Sequence, residues 1–525
     1  MKALSCLAVI LFIAFAGESY AAITAKDLGT LGGNESEALD INTAGTAVGW
    51  SEAANGDARA FVWTQAGGMK ALPMLAGGTK SAAFHVNNSG QIVGVSNNGN
   101  GALRIVMWEK VNGVYAIRST GIVAGYMADP LNSNHQDIQS YKDLASINNY
   151  GEVAAWQDTP EVYYWKRFIV KMNLMVAKST AGTGGGLEPI FINDFGTITT
   201  SSGPNWCNYL KPLDTNNDGK GDKWVSSDPD GTNSLVKDWG GGSWFSISSG
   251  VNTFGMTAIG ESGIENSDAY LFDTNSPDPQ GMQGGQKLSI PSWAIGAWPE
   301  SISDSGAAAG DFDVGNYYNG PVSPRAGMWD NGTPFPFTST VESSAHSVGN
   351  FRQAVGWLKT SGNMQAMFGD KRLLLVNMGT LGGANSEAFK VNDAEQAAGW
   401  AEISNGNRHA AMWTIDEPFV VDINIKPADP TNTVSLSKNV LVNVAMYSQY
   451  KLSATKVAPS SVRFAGAAPV SYADWDMNGD GRVDRVYRFA VKNTSLTTGS
   501  TSAQLTGTMV SGRKIWGSDS VKVVR

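Results

Sequence analysis

Two nine-residue stretches carry the side chains best suited to chemistry. Asp476, Asn478, Asp480, Arg482 and Asp484 lie in DMNGDGRVD, and Asp214, Asn216, Asp218, Lys220 and Asp222 lie in DTNNDGKGD. Both read D-x-N-x-D-G-x-x-D. Oxygens at positions 1, 3 and 5 can face one centre, glycine at 6 allows the sharp turn, position 7 offers its carbonyl, and the acid at 9 can complete the shell. Hard oxygen ligands at this spacing suit Ca2+, so the pattern predicts two structural calcium loops. Neither stretch has the Glu at position 12 of an EF-hand, which points to weak extracellular-type affinity, about 10⁻⁴ to 10⁻³ M. The plainer reading is a turn built from Asp, Asn and Gly.

No catalytic constellation stands out beside these loops. The four histidines, 85, 135, 346 and 409, fall in different parts of the chain and show no zinc spacing. A glycosidase needs paired carboxylates, and no pair can be singled out among 47 acids. The stretch SSDPDG (226–231) resembles a sialidase Asp-box only loosely and reads as a turn. Cys207 is the one cysteine beyond Cys6, so no disulfide can form within the chain once a leader is removed, and it reads as a buried, inert thiol.

The elements that would position such residues repeat. Variants of the unit x-[IV]-N-x-x-G-x-x-x-G-[W], from DINTAGTAVGW to KVNDAEQAAGW, recur eight times, with the motif position at residues 42, 87, 148, 193, 252, 303, 349 and 392. Each copy reads as a hairpin: alternating residues enter, an Asn-x-x-Gly turn supplies positions tolerant of positive φ, and a strand of small residues leaves. A third strand follows, as in ARAFVWT (58–64) and RHAAMWT (408–414), and several copies add a fourth. Spacings of 43 to 61 residues match four-stranded propeller blades with insertions. With 61 Gly, 17 Trp and 16% charged residues, the chain is predicted to be all-β.

Residues 28–64 and 378–414 are identical at 19 of 37 aligned positions. The last copy lacks a fourth strand of its own, whereas residues 25–31 have no blade in front of them. The expected fold is an eight-bladed β-propeller whose N-terminal strand closes the final blade beside 408–414. A seven-bladed ring, with the unit around Gly349 not independent, and an open solenoid are the alternatives. The recurrent Trp50, Trp156, Trp357 and Trp400 read as packing between blades, against the sharper reading of a sugar-stacking row.

LGTLGG, IN-x-x-G-x-x-VG-W-S and RAFVW together resemble the HAF-type extracellular repeats of bacterial secreted proteins, over about residues 26–415. That resemblance implies a secreted β-repeat protein and no defined chemistry. Beyond Asp416-Glu417-Pro418 the pattern changes to short strands at sandwich spacing. VDINIKPADPTNTVSLS and DMNGDGRVDRVYRF resemble a C-terminal β-sandwich accessory module of bacterial extracellular proteins. The expected division is a signal peptide at 1–22, a propeller at 23–418 and an Ig-like β-sandwich at 419–525.

Residues 1–22 have one Lys, an apolar run from Leu7 to Ala16 and a small-residue end, the layout of a cleavable secretory signal. The apolar run is too short for a span of about 20 residues, and no membrane span is expected elsewhere. Residues 420–525 hold 13 Lys/Arg and 7 Asp/Glu, a charge of +6, which leaves −15 on the preceding part. An acidic body of that size argues against nucleic acid as a partner. The expected protein is secreted to the extracellular space, cell surface or periplasm, monomeric and stabilised by calcium. Its activity is read as non-catalytic binding of a glycan or protein, with a carbohydrate-active hydrolase or lyase as the alternative. Insertions at 127–145, 203–240 and 274–298, with Trp206, Trp224, Trp239, Trp244 and Trp293 in or beside them, are the expected ligand face.

Overall fold

The computed structural model describes residues 23–124, 144–156, 162–166, 169–174, 190–201, 207–213, 223–226, 245–248, 250–254, 256–262, 267–273, 286–315, 321–437 and 439–525. The expected signal peptide, the loop Asp214–Asp222 and most of the three insertions lie outside the described residues. Among the described residues the fold is all-β, without an α-helix.

The first unit sets the pattern. Strands Gly32–Ile41, Ala47–Ala53, Ala58–Thr64 and Gly68–Ala71 pair in chain order as one antiparallel sheet. The described strands within 81–123, 145–174, 190–226 and 343–379 form four more sheets of the same order. The described strands within 245–287 and 296–336 form two further antiparallel sets, joined by a single parallel pair, Ser267 and Gly296. The final sheet takes its outer strand from the start of the chain. Thr24–Gly29 pairs antiparallel with Arg408–Thr414, placing Ala25 opposite Trp413 and Asp27 opposite Ala411. Leu28 from this strand is buried with Ala38, Phe61, Ala410 and Met412, so both chain regions share one core.

Successive hairpins are tied by the motif asparagine. In the first turn Asn42 Oδ1 accepts the amides of Ala44 and Thr46, fixing the turn from within. Its Nδ2 is then free to donate outward, and it does so to the carbonyl of Asn87 at 2.9 Å. Asn87 donates likewise to Asn148, Asn148 to Asn193, Asn193 to Asn252, and Asn252 to the Ser303 carbonyl, all at 2.8–3.0 Å. Two units lack the amide, because Ser303 and Gly349 replace it. There the serines two residues upstream still bridge the units, Ser301 Oγ accepting from Val348 N and Ser347 Oγ from Val391 N, as Asp40 and Ser146 do toward Val86 and Ile192 in units that keep the amide. Asn392 Nδ2 donates to the Asn42 carbonyl at 2.7 Å, which returns the circuit to its start.

A bulge accompanies the second motif glycine. Opposite Gly49, Gly94, Gly310, Gly356 and Gly399 the register of the first strand slips, leaving Leu39, Phe84, Glu300, His346 and Phe389 unpaired. A Cβ on any of these glycines would stand 1.9–2.1 Å from a carbonyl oxygen of the facing strand. Ala155 and Thr200 occupy the same position in the third and fourth units, whose strands pair without a slip. The glycine therefore admits the bulge, and the bulge re-aims one side chain per unit.

The C-terminal module has two four-stranded sheets. One joins Phe419–Val420, Lys514–Ser520, Ser502–Thr508 and Arg463–Phe464, and the other joins Ile423–Ile425, Leu441–Met446, Asp484–Ala490 and Pro469–Trp475. Both contribute to one apolar core that includes Val444, Phe464, Tyr487, Phe489, Leu505 and Ile515. The module meets the ring at its hairpin turns. Phe419 stacks on Phe351 at 3.8 Å, Lys451 Nζ donates to Asp393 at 2.7 Å, and Arg352 Nη1 donates to Asp422 at 2.6 Å. Arg352 and Glu395 stand where other turns carry glycine, at φ of 62° and 57°. Such a conformation costs a residue with a side chain about 1–2 kcal/mol. Here both side chains bind the module side, Arg352 through Asp422 and Glu395 through Arg513. The loss of the turn glycine in these two units thus marks a docking surface.

The bulge makes a direct prediction. Gly356→Ala places a Cβ against the Ser344 carbonyl and should destabilise the protein by about 2–3 kcal/mol, read as a lower urea midpoint. Ala155→Gly, at an unbulged position, should cost no more than about 1 kcal/mol.

Candidate functional site

The first strands of the units surround a central cavity of about 780 Å³. The bulge residues Leu39, Glu300, His346 and Phe389 line it, and at the turn end its rim is made of the residues that follow the motif position, among them Asn88, Asn149, Asp194 and Asp304. The motif asparagines also line the cavity, but their amides and carbonyls are already spent on the circuit. Ligand-binding capacity therefore rests with the bulge residues and the rim.

Ionisable groups concentrate where the sixth, seventh, eighth and first units meet. His346 Nδ1 lies 2.6 Å from Glu300 Oε2, and its Nε2 lies 2.9 Å from Glu387 Oε1. Burial works against charge on His346, yet the two carboxylates outweigh it and lift its pKa well above the ordinary imidazole value. Glu387 also accepts the Trp400 indole N–H at 3.1 Å. Arg408 lies over the Trp400 ring, 4.1 Å from its centroid, and reaches Glu37 Oε1 at 3.4 Å. Glu37 in turn accepts the Trp50 indole N–H at 3.2 Å. Burial pushes Glu37 up to about 7 against the pull of Arg408 and Trp50. Asp311, sealed behind this group, is raised well above the carboxylate range by burial and then by the charge of Glu300. On the same strand as Glu37, Asp40 is also buried, but the bond and charge of His85, with Lys390 nearby, hold its pKa below the usual range.

Chemically, this is an imidazolium clamped between two carboxylates, with a buried acid that titrates near neutrality. His346 has both ring nitrogens committed, so it organises charge rather than offering a lone pair. Sequence reasoning missed Glu37, Glu300, His346 and Glu387. One signal was available: Glu300 and His346 occupy the same place in successive copies, three residues before the motif position and opposite a bulge-permitting glycine. Glu37 and Glu387 also stand at equivalent places within the near-identical end segments.

The sequence-predicted residues fall elsewhere. Trp50 and Trp400 are 1% exposed in a shared core, which agrees with packing and leaves no face for a sugar. Trp293 packs edge-on against Phe312. In the loop of the C-terminal module, Asp476 accepts the amides of Gly479, Asp480 and Gly481, and Asp480 accepts that of Arg482. Asp476, Asn478 and Asp480 are exposed on one turn. Asp484 is fully buried and gives its two oxygens to the amides of Ser448 and Met477. The loop thus gathers hard oxygens at positions 1, 3 and 5, while the acid at 9 anchors its base. Among the described residues, no three His, Cys, Asp or Glu side chains group as a metal site. No described helix is long and apolar enough to cross a membrane.

No family model matches the chain, and no curated protein does. Among solved structures, the chain is similar to TolB from Acinetobacter baumannii, at 9% identity and a TM-score of 0.30 over 63% of each chain, so it spans less than two thirds of that protein. It is also similar to the Cps50 (Swd1) beta-propeller domain of Myceliophteria thermophila, at 7% identity and a TM-score of 0.29, covering 72% of this chain and 83% of that one. A third likeness is to an arginine-to-alanine triple mutant of AofleA from Arthrobotrys oligospora, at 11% identity and a TM-score of 0.26, covering 60% of this chain and 88% of that one.

Glu37 provides the test of the site's electrostatics. Its folded pKa lies above the unfolded value, so the folded state holds a proton that the unfolded state releases, and stability falls as pH rises from about 4.5 to about 7. The full difference is about 3 kcal/mol. Glu37→Gln should remove this loss: denaturation midpoints should match the wild type at pH 4.5 and exceed it at pH 8.

Proposed function

We propose that the protein is a secreted, monomeric, non-catalytic binding protein of the HAF-repeat kind, an eight-bladed β-propeller carrying an Ig-like β-sandwich, with a glycan or protein as its ligand. The observation that carries this reading is the polar central cavity, whose ionisable wall groups are paired with one another and whose rim is a ring of amides, hydroxyls and carboxylates linked from turn to turn. Such a surface suits recognition by hydrogen bonding. The eight-membered hydrogen-bonded circuit and the borrowed outer strand support the blade count.

A second reading, a carbohydrate-active enzyme, draws on one observation. A carboxylate, Glu300, lines the cavity beside His346, where a general acid or base would have to stand. Incubation with polysaccharides separates the two. We expect retention on a glycan array without new reducing or unsaturated ends, and the appearance of such ends would decide for the enzyme.

Calcium belongs to the same proposal. Asp476, Asn478, Asp480 and the Arg482 carbonyl would hold the ion in the C-terminal module, and Asp214, Asn216, Asp218, Lys220 and Asp222 would form the second loop. Bound there, Ca2+ would neutralise the acids and fasten each loop. Calorimetry should show a higher melting temperature in millimolar Ca2+ than in EDTA, by a few degrees if the affinity is of the weak extracellular kind. Superimposable melts would remove both sites.

A further inference from the structure

The tip of each hairpin turn, two residues past the motif position, carries one of two residue types. Ala44, Ser89, Ser305 and Ala394 are small, so the turn itself requires no ring there. Tyr150, Phe195, Phe254 and Phe351 are aromatic. Two of these four are contact points for the C-terminal module: Phe351 stacks on Phe419, and Phe254 meets Tyr450 edge to face at 5.6 Å. The other two are bare, Tyr150 at 75% and Phe195 at 68% exposure. They belong to the third and fourth units and continue the row from Phe254 in the fifth, so an aromatic surface already used for docking extends beyond the module.

We propose that Tyr150 and Phe195 form a stacking platform for an uncharged glycan chain at the turn-side rim of the cavity. A sugar ring presents an apolar C–H face and a fringe of hydroxyls. The exposed aromatic faces take the first, and planar amide and carboxylate groups take the second. Those groups stand between the platforms, where Asn149 Nδ2 donates to Asp194 Oδ2 at 2.9 Å and both side chains line the cavity mouth.

The acids beside the tips separate a glycan from a protein partner. Where the module docks, Asp393 is met by the Lys451 ammonium and Asp304 by the Tyr450 hydroxyl. At the bare tips Asp194 accepts both the backbone and the side-chain N–H of Asn149, which offsets its need for a cation and leaves lone pairs for a sugar hydroxyl. It therefore asks for no cation from a partner, and its charge repels uronic or sulfated sugars. The ligand that fits is neutral and rich in hydroxyls.

This inference rests on the binding-protein reading and deepens it. The test is affinity electrophoresis of the full mature chain through gels containing laminarin, xyloglucan, galactomannan or, as a charged control, alginate. Beside it runs the double variant Tyr150→Ser, Phe195→Ser, which installs the residue found at the same tip in the second and sixth units. Retardation of the wild type by at least one neutral polysaccharide is expected, with affinity at least about tenfold weaker in the variant at an unchanged melting temperature. Equal retardation of both proteins overturns the platform and leaves a glycan site elsewhere on the molecule. Retardation of the wild type by alginate alone overturns the uncharged ligand class, and no retardation in any gel overturns the glycan reading as well.

Discussion

A primary amide can accept at its oxygen and donate at its nitrogen at the same time. Buried asparagine at the hairpin turns uses both ends: Asn42 Oδ1 closes its own turn, and its Nδ2 holds the carbonyl of the next turn. Each of these atoms would carry a penalty of about 1–3 kcal/mol if sealed from water without a partner. The turn geometry and the packing of neighbouring units thus satisfy each other, and neither is complete alone. The cavity, the bulges and the rim all take their positions from this circuit.

Departures from the repeat are as informative as the repeat. Where Ser303 and Gly349 interrupt the amide circuit, serine hydroxyls bridge the same neighbours. Where Arg352 and Glu395 displace the turn glycine, ion pairs to Asp422 and Arg513 offset the backbone cost and bind the C-terminal module. The module therefore sits where the ring has given up its own consensus. Its Lys451 also reaches the lining of the central cavity, so one end of that cavity is shaped by residues from both parts of the chain.

Much of this architecture could be read from residue types alone. Most of the turns announced themselves because Asn and Gly are demanded by local backbone geometry, and the repeated GTLGG announced a strand in search of a sheet. The charged group at the cavity wall was hidden, because Glu300, His346 and Glu387 meet only after three separate units pack side by side. For Glu300 and His346 the meeting also depends on a one-residue slip in the strand, and alternation in the sequence would have aimed those two side chains to the opposite side. The loop at Asp476–Asp484 was legible as a turn, but the burial of Asp484 against Ser448 is a tertiary fact that its spacing could not disclose.

The borrowed outer strand also dictates an order of assembly. Asp27 and its partner His409 are 382 residues apart, and a growing polypeptide completes the former long before the latter exists. Local hairpins can form as they are synthesised, since their contacts are short in sequence. Closure must wait for the last repeat, and every incomplete product carries an exposed edge at each end of its stack of sheets. The molecule is therefore most open to wrong partners in the interval before its two extremities meet.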